Sequence, residues 1–201
     1  MTLKNKLGLT SSSELAKAEE KISKKKALEL FENGYLDSLE AGTYKTLAEI
    51  HRYLFDEIYE FAGKLRDVNI AKGNFRFAPV IYLQAALKSI DQMPQSTFDE
   101  IIEKYVEMNV AHPFREGNGR SMRIWLDMML KKELAQVIDW VKVDKDDYLL
   151  AMERSPVRDI EIKHILKKAL TDKINDREIY MKGIDHSYYY EGYTIYKTEE
   201  L

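Results

Sequence analysis

The sequence predicts an all-α fold of about seven to nine helices, interrupted by one short β-hairpin. Two observations carry this. Apolar residues recur three and four apart along most of the chain, between cap and breaker signals. One interval, residues 64–79, instead alternates like paired strands around a turn.

Taken in order, Thr10 to Glu14 reads as a cap followed by a helix, with Leu15, Ala18, Ile22 and Leu28 near helical spacing. Lys24, Lys25 and Lys26 fall on its predicted wet side, and Asn33-Gly34 breaks it. Thr43 to Ala62 is the next helix, with Tyr44, Leu47, Ile50, Leu54, Ile58 and Phe61 on its apolar face and Gly63 at its end. His51 lies beside that stripe, which points to a structural role. Leu65 to Ile70 alternates as a strand, Lys72-Gly73-Asn74 is turn chemistry, and Phe75 to Phe77 alternates again. Val80 to Gln92 is amphipathic through Ile81, Ala85, Leu87 and Ile90, and Met93-Pro94-Gln95 interrupts. Helices follow over Phe98–Ala111 and Arg120–Leu134, with a short apolar connector around Trp140. Asp144 opens another helix, Ser155-Pro156 stops it, and Ile160 to Ile174 forms a further one. In the tail, six of the thirteen tyrosines lie between Tyr180 and Tyr196. There Asp185-His186-Ser187 offers cap residues ahead of a helix of barely more than one turn, which Gly192 ends. On the residues alone this is an aromatic tail packed on the body.

With 201 residues, one domain with short appendages is expected. A net charge of −3 provides no broad basic surface, so no nucleic-acid partner is expected. The absence of cysteine excludes disulfides and thiolate metal sites and fits a reducing compartment. The four histidines are scattered, which argues against a zinc cluster. Met1 to Thr10 lacks a signal-like apolar run and no stretch approaches a membrane span, so a cytoplasmic protein with no membrane partner is expected.

The densest chemistry lies between His112 and Arg123. Pro113 disfavours helix at His112, so the preceding helix ends there. Its apolar stripe runs through Tyr105 and Met108, one turn before His112, which should therefore point inward. Gly117 and Gly119 free the backbone at the start of the next helix, where unpaired N–H groups and the dipole attract anions. Arg120 and Arg123 share a face of that helix and suit a di- or triphosphate. Glu116 supplies the single carboxylate with which proteins usually hold Mg²⁺ against phosphates. His112 is of the type that serves as a general base.

His112 to Arg123 resembles the Fic-family motif H-x-F-x-[DE]-G-N-G-R-x-x-R at every defined position. The resemblance implies a mainly helical Fic fold and transfer of AMP from ATP to a Ser, Thr or Tyr hydroxyl of a target protein. It casts His112 as the base, Phe114 as the loop's anchor in the core, and Glu116 as the Mg²⁺ ligand. Gly117, Asn118 and Gly119 would cradle the α-phosphate, Arg120 would meet the β-phosphate, and Arg123 the γ-phosphate. The hairpin becomes a flap on which the target docks by backbone hydrogen bonding. Lys72 at its turn could reach nucleotide or target. Asn109, one turn before His112, either contacts the nucleotide or caps a helix. The chain then divides into an N-terminal helical extension (1–42), a core (43–175) with its flap near 64–79, and a C-terminal helix and tail (176–201).

Ser187-x-x-x-Glu191-Gly192 resembles the inhibitory motif [ST]-x-x-x-E-[GN], placed as in short class III members. It implies that Glu191 competes with the γ-phosphate for Arg123, and that Tyr188 matches a position of self-modification. The family alternatives are AMP removal, with Glu191 positioning water, other phosphate-group transfer on the same fold, or a binding module with a relic site. Neither the target protein nor a possible homo-oligomer is specified.

Overall fold

The computed structural model describes residues 2–201; Met1, the first residue of the expected extension, lies outside them. The chain forms α1 (Ser12–Glu32), α2 (Tyr44–Phe55), β1 (Ala71–Lys72), β2 (Phe75–Arg76), α3 (Val80–Asp91) and α4 (Phe98–Ala111). It continues through α5 (Asn118–Leu134), β3 (Val137–Ile138), α6 (Lys145–Arg154), α7 (Ile160–Lys168), β4 (Leu170–Thr171) and α8 (Arg177–Tyr190). Among the described residues this is eight α-helices and two minimal strand pairs, the mainly helical fold that was expected.

α5 is the central element. Ile124, Trp125, Leu126, Met128, Met129 and Leu130 are all buried, covering the helix on every side, as a fully enclosed helix requires. α4, α2 and α8 surround it, and α1 packs across α2 and α8. One apolar cluster runs from Leu15 to Tyr190 through all of them. The helix starts follow their caps. Ser11 accepts from the Glu14 N–H, Thr43 from Thr46, Asp144 from Asp146 and Asp147, and Thr97 with Glu100 closes a reciprocal capping box.

Several boundaries differ from expectation. α2 stops at Phe55 rather than Ala62. The turns that follow keep Ile58 and Tyr59 buried, because the Gly63 N–H donates back to His51 Nδ1 (2.8 Å) and folds the segment onto α2. The hairpin is shorter than its alternation suggested: only Ala71–Lys72 pairs with Phe75–Arg76, in the register Ala71↔Arg76 and Lys72↔Phe75. Residues 65–70 instead run along the loop after α4, where the Arg66 N–H donates to Pro113 O (2.9 Å). Val137–Ile138 pairs antiparallel with Leu170–Thr171, a contact that two-residue strands do not announce by alternation, and α7 ends at Lys168 to allow it. α8 is a 14-residue helix capped by Asp176, so Asp185, His186 and Ser187 lie inside it rather than at its cap. Ile81, assigned to the buried face of α3, is 80% exposed, and Leu83 takes that place.

Lys24 is the sharpest correction. It is 1% exposed, and its ammonium meets Glu20 Oε1 at 3.1 Å, Asp185 Oδ1 at 3.4 Å and the Tyr196 carbonyl at 2.6 Å. It therefore joins α1 to α8 and the tail. Removing one partner of a buried pair leaves the other charge uncompensated. Lys24→Ala should lower unfolding free energy by about 3 kcal/mol in denaturant melts, while Lys25→Ala on the exposed side should cost less than about 0.5 kcal/mol.

Candidate active site

His112 is the C-cap of α4 and, among the described residues, one of two non-glycine residues with a left-handed backbone, at φ 49°. A side chain rarely adopts this conformation without outside support. The support is visible. Its N–H reaches Met108 O (2.9 Å), its carbonyl accepts from Arg66 Nε (2.7 Å), and its ring stacks on Phe77 at 3.6 Å. Nδ1 lies 3.1 Å from Asn109 O, and a carbonyl can only accept. The Nδ1–H tautomer follows, leaving the Nε2 lone pair available to take a proton. Burial pushes the His112 pKa down to about 4, so the imidazole is neutral at pH 7.

The following loop is locked from inside. Phe114 is fully buried and stacks on His51 at 3.8 Å. Asn118 Oδ1 accepts from the Phe114 N–H (2.8 Å) and its Nδ2 donates to Phe114 O (2.7 Å). The Asn118 side chain thus closes the loop and leaves only its main chain for a ligand. His51, with Nδ1 accepting from Gly63, donates through Nε2 to Glu116 O (2.7 Å). Burial holds His51 neutral, with its pKa pushed down to about 3. Gly117, at φ 80°, is the N-cap of α5, and a Cβ there would come within 2.5 Å of the Phe55 ring. No side chain caps α5, so its first amides are available to an anion.

The two arginines part company. Arg120 is 1% exposed, lies between the rings of Phe55, Tyr188 and Tyr193, and pairs through Nη1 with Glu19 Oε1 of α1 (2.5 Å). Burial alone would raise the Glu19 pKa; the Arg120 charge and the Tyr59 and Tyr193 hydroxyls outweigh it, and the carboxylate stays ionised. Arg120 Nη2 faces Glu116 Oε1 at 3.2 Å. The residue expected at the β-phosphate is therefore turned inward in this structure, toward two carboxylates.

Arg123 is claimed by α8. Its Nε donates to Ser187 Oγ (2.7 Å), and its Nη2 donates to Ser187 O (2.9 Å) and Glu191 Oε1 (2.9 Å). Glu191 Oε2 lies 3.5 Å from Lys72 Nζ across the flap. Burial would raise the Glu191 pKa, but Arg123 and Lys72 hold it down at about 2. A Cβ on Gly119 would lie 2.3 Å from Glu191 Oε1, so glycine makes the room that this carboxylate occupies. Gly192, at φ 89°, turns the chain out of α8. Tyr188 is 1% exposed and donates its hydroxyl to Ser23 Oγ (2.6 Å), which shields that hydroxyl while α8 is docked. Asn109 contributes its carbonyl to His112; Lys72 remains largely exposed. Sequence reasoning missed Glu19 and Arg66. Glu19 lies four residues after Leu15, on the buried stripe of α1, where a carboxylate needs a partner.

The Fic/DOC family model matches residues 41–130. The probable protein adenylyltransferase y4lH of Sinorhizobium fredii is 30% identical over 165 residues, which is 76% of this chain and 82% of that protein. The chain belongs to the Fic/DOC family. The protein adenylyltransferase VbhT of Bartonella schoenbuchensis is 29% identical over 196 residues, an alignment that takes in 90% of this chain but only 40% of that protein. Among solved structures, the BepC protein of Bartonella tribocorum, with bound AMPPNP, has a TM-score of 0.68 at 19% identity, covering 85% of this chain and 93% of that one. That likeness establishes the Fic fold.

Two titrations probe the site. The His112 imidazole, followed by NMR in the full chain, should titrate near 4; a midpoint at 6 or above would contradict the buried, Phe77-stacked ring. Glu191 has a folded pKa of about 2 against an ordinary 4.5, so its stabilising contribution is present above about pH 4.5 and lost as pH falls toward 2. The stability gap between the parent and Glu191→Gln should accordingly be largest at neutral pH and shrink below pH 4.5.

Proposed function

We propose that this chain is a protein adenylyltransferase, transferring AMP from ATP to a Ser, Thr or Tyr hydroxyl of a target protein, and that α8 holds it inactive. The observation that carries the reading is the clasp on Arg123. The guanidinium best placed on α5 to meet the end of a triphosphate is already bound by Glu191 and Ser187.

His112 Nε2 takes the proton of the target hydroxyl as its oxygen forms the bond to the α-phosphorus. The bond from that phosphorus to the bridging oxygen breaks, and pyrophosphate leaves. The amides of Asn118 and Gly119 support the α-phosphate from the helix mouth, while Gly117, whose N–H is taken by Glu116 Oε1, makes the turn that exposes them. Arg123 receives the γ-phosphate once Glu191 withdraws. Arg120 acts from beneath, steadying Glu116 through Nη2 and adding positive charge under the β-phosphate. Asn109 and Lys72 flank the nucleotide, the one on α4 and the other on the flap.

The donor set at Glu116 fits Mg²⁺. Its carboxylate is 44% exposed at the mouth, with Oε1 held by Arg120 and the Gly117 N–H. No cluster of three or more metal-ligating side chains exists among the described residues, so phosphates and water would complete the shell. When bound, the ion neutralises charge on the leaving pyrophosphate. The exposed edge of the short flap suits a target strand added by main-chain hydrogen bonds. Among the described residues no helix is long and apolar enough to cross a membrane.

Incubation with ATP labelled at the α or the γ phosphorus tests the assignment. Label transferred to protein from the α position only is expected; label from γ alone would mean phosphorylation instead. Glu191→Gly should raise transfer by at least about tenfold, and adding His112→Ala should lower it by about 100-fold or more. If Glu191→Gly labels no more protein than the parent, α8 is not inhibitory.

A further inference from the structure

Arg66 is 4% exposed behind His112, and its environment is unusual for a buried cation: burial lowers its pKa, and among the described residues it makes no ion pair with a carboxylate. Its guanidinium donates to main-chain carbonyls instead. Nε reaches His112 O (2.7 Å), Nη1 reaches Val68 O (2.7 Å), and Nη2 reaches Ala78 O (2.5 Å) and Ala111 O (3.1 Å). Val68 belongs to the leg of the flap before β1 and Ala78 to the leg after β2. Ala111 and His112 are the C-terminal end of α4, where carbonyls lack intrahelical partners and the dipole favours a cation.

Resting on the adenylyl-transfer reading, we infer that Arg66 is a positioning residue that sets the flap against His112, so that one guanidinium fixes both the presented target hydroxyl and its base. Three further contacts run the same way. The Ala78 N–H donates to Val110 O (2.9 Å), the Arg66 N–H donates to Pro113 O (2.9 Å), and the Phe77 ring lies on the imidazole. The left-handed backbone of His112 needs an external restraint, and the bond from Arg66 Nε to its carbonyl is one. Arginine suits the task because its planar fork serves several acceptors at once, whereas lysine offers a compact point charge. None of the acceptors belongs to residues 117–123, so the phosphate cradle is not held by Arg66; of the nucleotide contacts, only those of Lys72 and Asn109 lie on the segments it braces.

The test places Arg66→Gln and Arg66→Lys in the full chain carrying Glu191→Gly. Three quantities are measured: amide hydrogen exchange, AMPPNP affinity by calorimetry, and transfer of α-labelled AMP to the proteins of a bacterial lysate. Exchange should rise together in residues 68–78 and 109–113 while 118–134 stay protected. AMPPNP affinity should fall by no more than about fivefold, the share of Lys72 and Asn109, while labelling should fall by about 100-fold, as expected for misplacement of reacting groups. Arg66→Lys should resemble Arg66→Gln more than the parent, and it carries the test alone if the glutamine variant does not fold. Unchanged exchange at the flap, or labelling within about twofold of the parent, overturns the inference. So does loss of protection in 118–134 together with loss of AMPPNP affinity, because Arg66 would then merely support the fold. If the Glu191→Gly parent labels nothing, the adenylyl-transfer reading fails, and the exchange data still decide whether Arg66 couples the flap to His112.

Discussion

The buried guanidinium of Arg123 and its three acceptors, two on Ser187 of α8 and one on Glu191 at its C-cap, are the interaction on which the arrangement of this molecule turns. A cation that deep requires paired, hydrogen-bonded partners, and they come from a segment more than sixty residues away in sequence. The requirement works in both directions. α8 docks where it does because Arg123 is there, and Arg123 is satisfied only while α8 is docked or while another anion replaces Glu191. On the function proposed above, that second possibility makes the start of α5 a place where a carboxylate and a phosphate compete. The space for the competition is made by Gly119, whose missing side chain is occupied by Glu191.

The second arginine shows how differently two neighbours on one helix can be used. Arg120 and Arg123 are three residues apart, yet Arg120 turns to Glu19 on α1 and Arg123 to Glu191 just beyond α8. The two ends of the chain therefore meet at α5 through its cations. Tyr193 donates to Glu19, and Tyr188 packs on Arg120, so the segment around Glu191 touches both pairs. Glu116 lies on the outer side of this arrangement, with one oxygen tethered and its carboxylate half open to the mouth.

Rigidity around His112 comes from the opposite direction. His51, Asn118 and Arg66 spend their side-chain polar groups on main-chain atoms around the loop and the flap, and Phe114 anchors the loop by stacking on His51. The result is a neutral imidazole with a defined tautomer, stacked under the flap and beside the mouth of α5. Such preorganisation matters because phosphoryl chemistry demands placement more than covalent participation.

Much of this was legible in the sequence. The helical spacing of α4 and α5, the stop at Pro113 and the glycines at 117 and 119 are local properties, set by backbone preference and periodicity within a few residues. The serine and the carboxylate of the tail were singled out only by resemblance to an inhibitory motif; the residues themselves read as an aromatic tail packed on the body. What the sequence alone did not determine was which charges become buried. Lys24 reads as one of three solvated lysines, Glu19 drew no reading at all, and Arg66 sits in a stretch that alternates like a strand. Their roles depend on what other segments bring against them, and the energy of a buried charge is set by those partners rather than by its neighbours in the chain. Periodicity determined the helices; only the packed structure decided which cation faces which carbonyl or carboxylate, because desolvation acts on groups that meet in space.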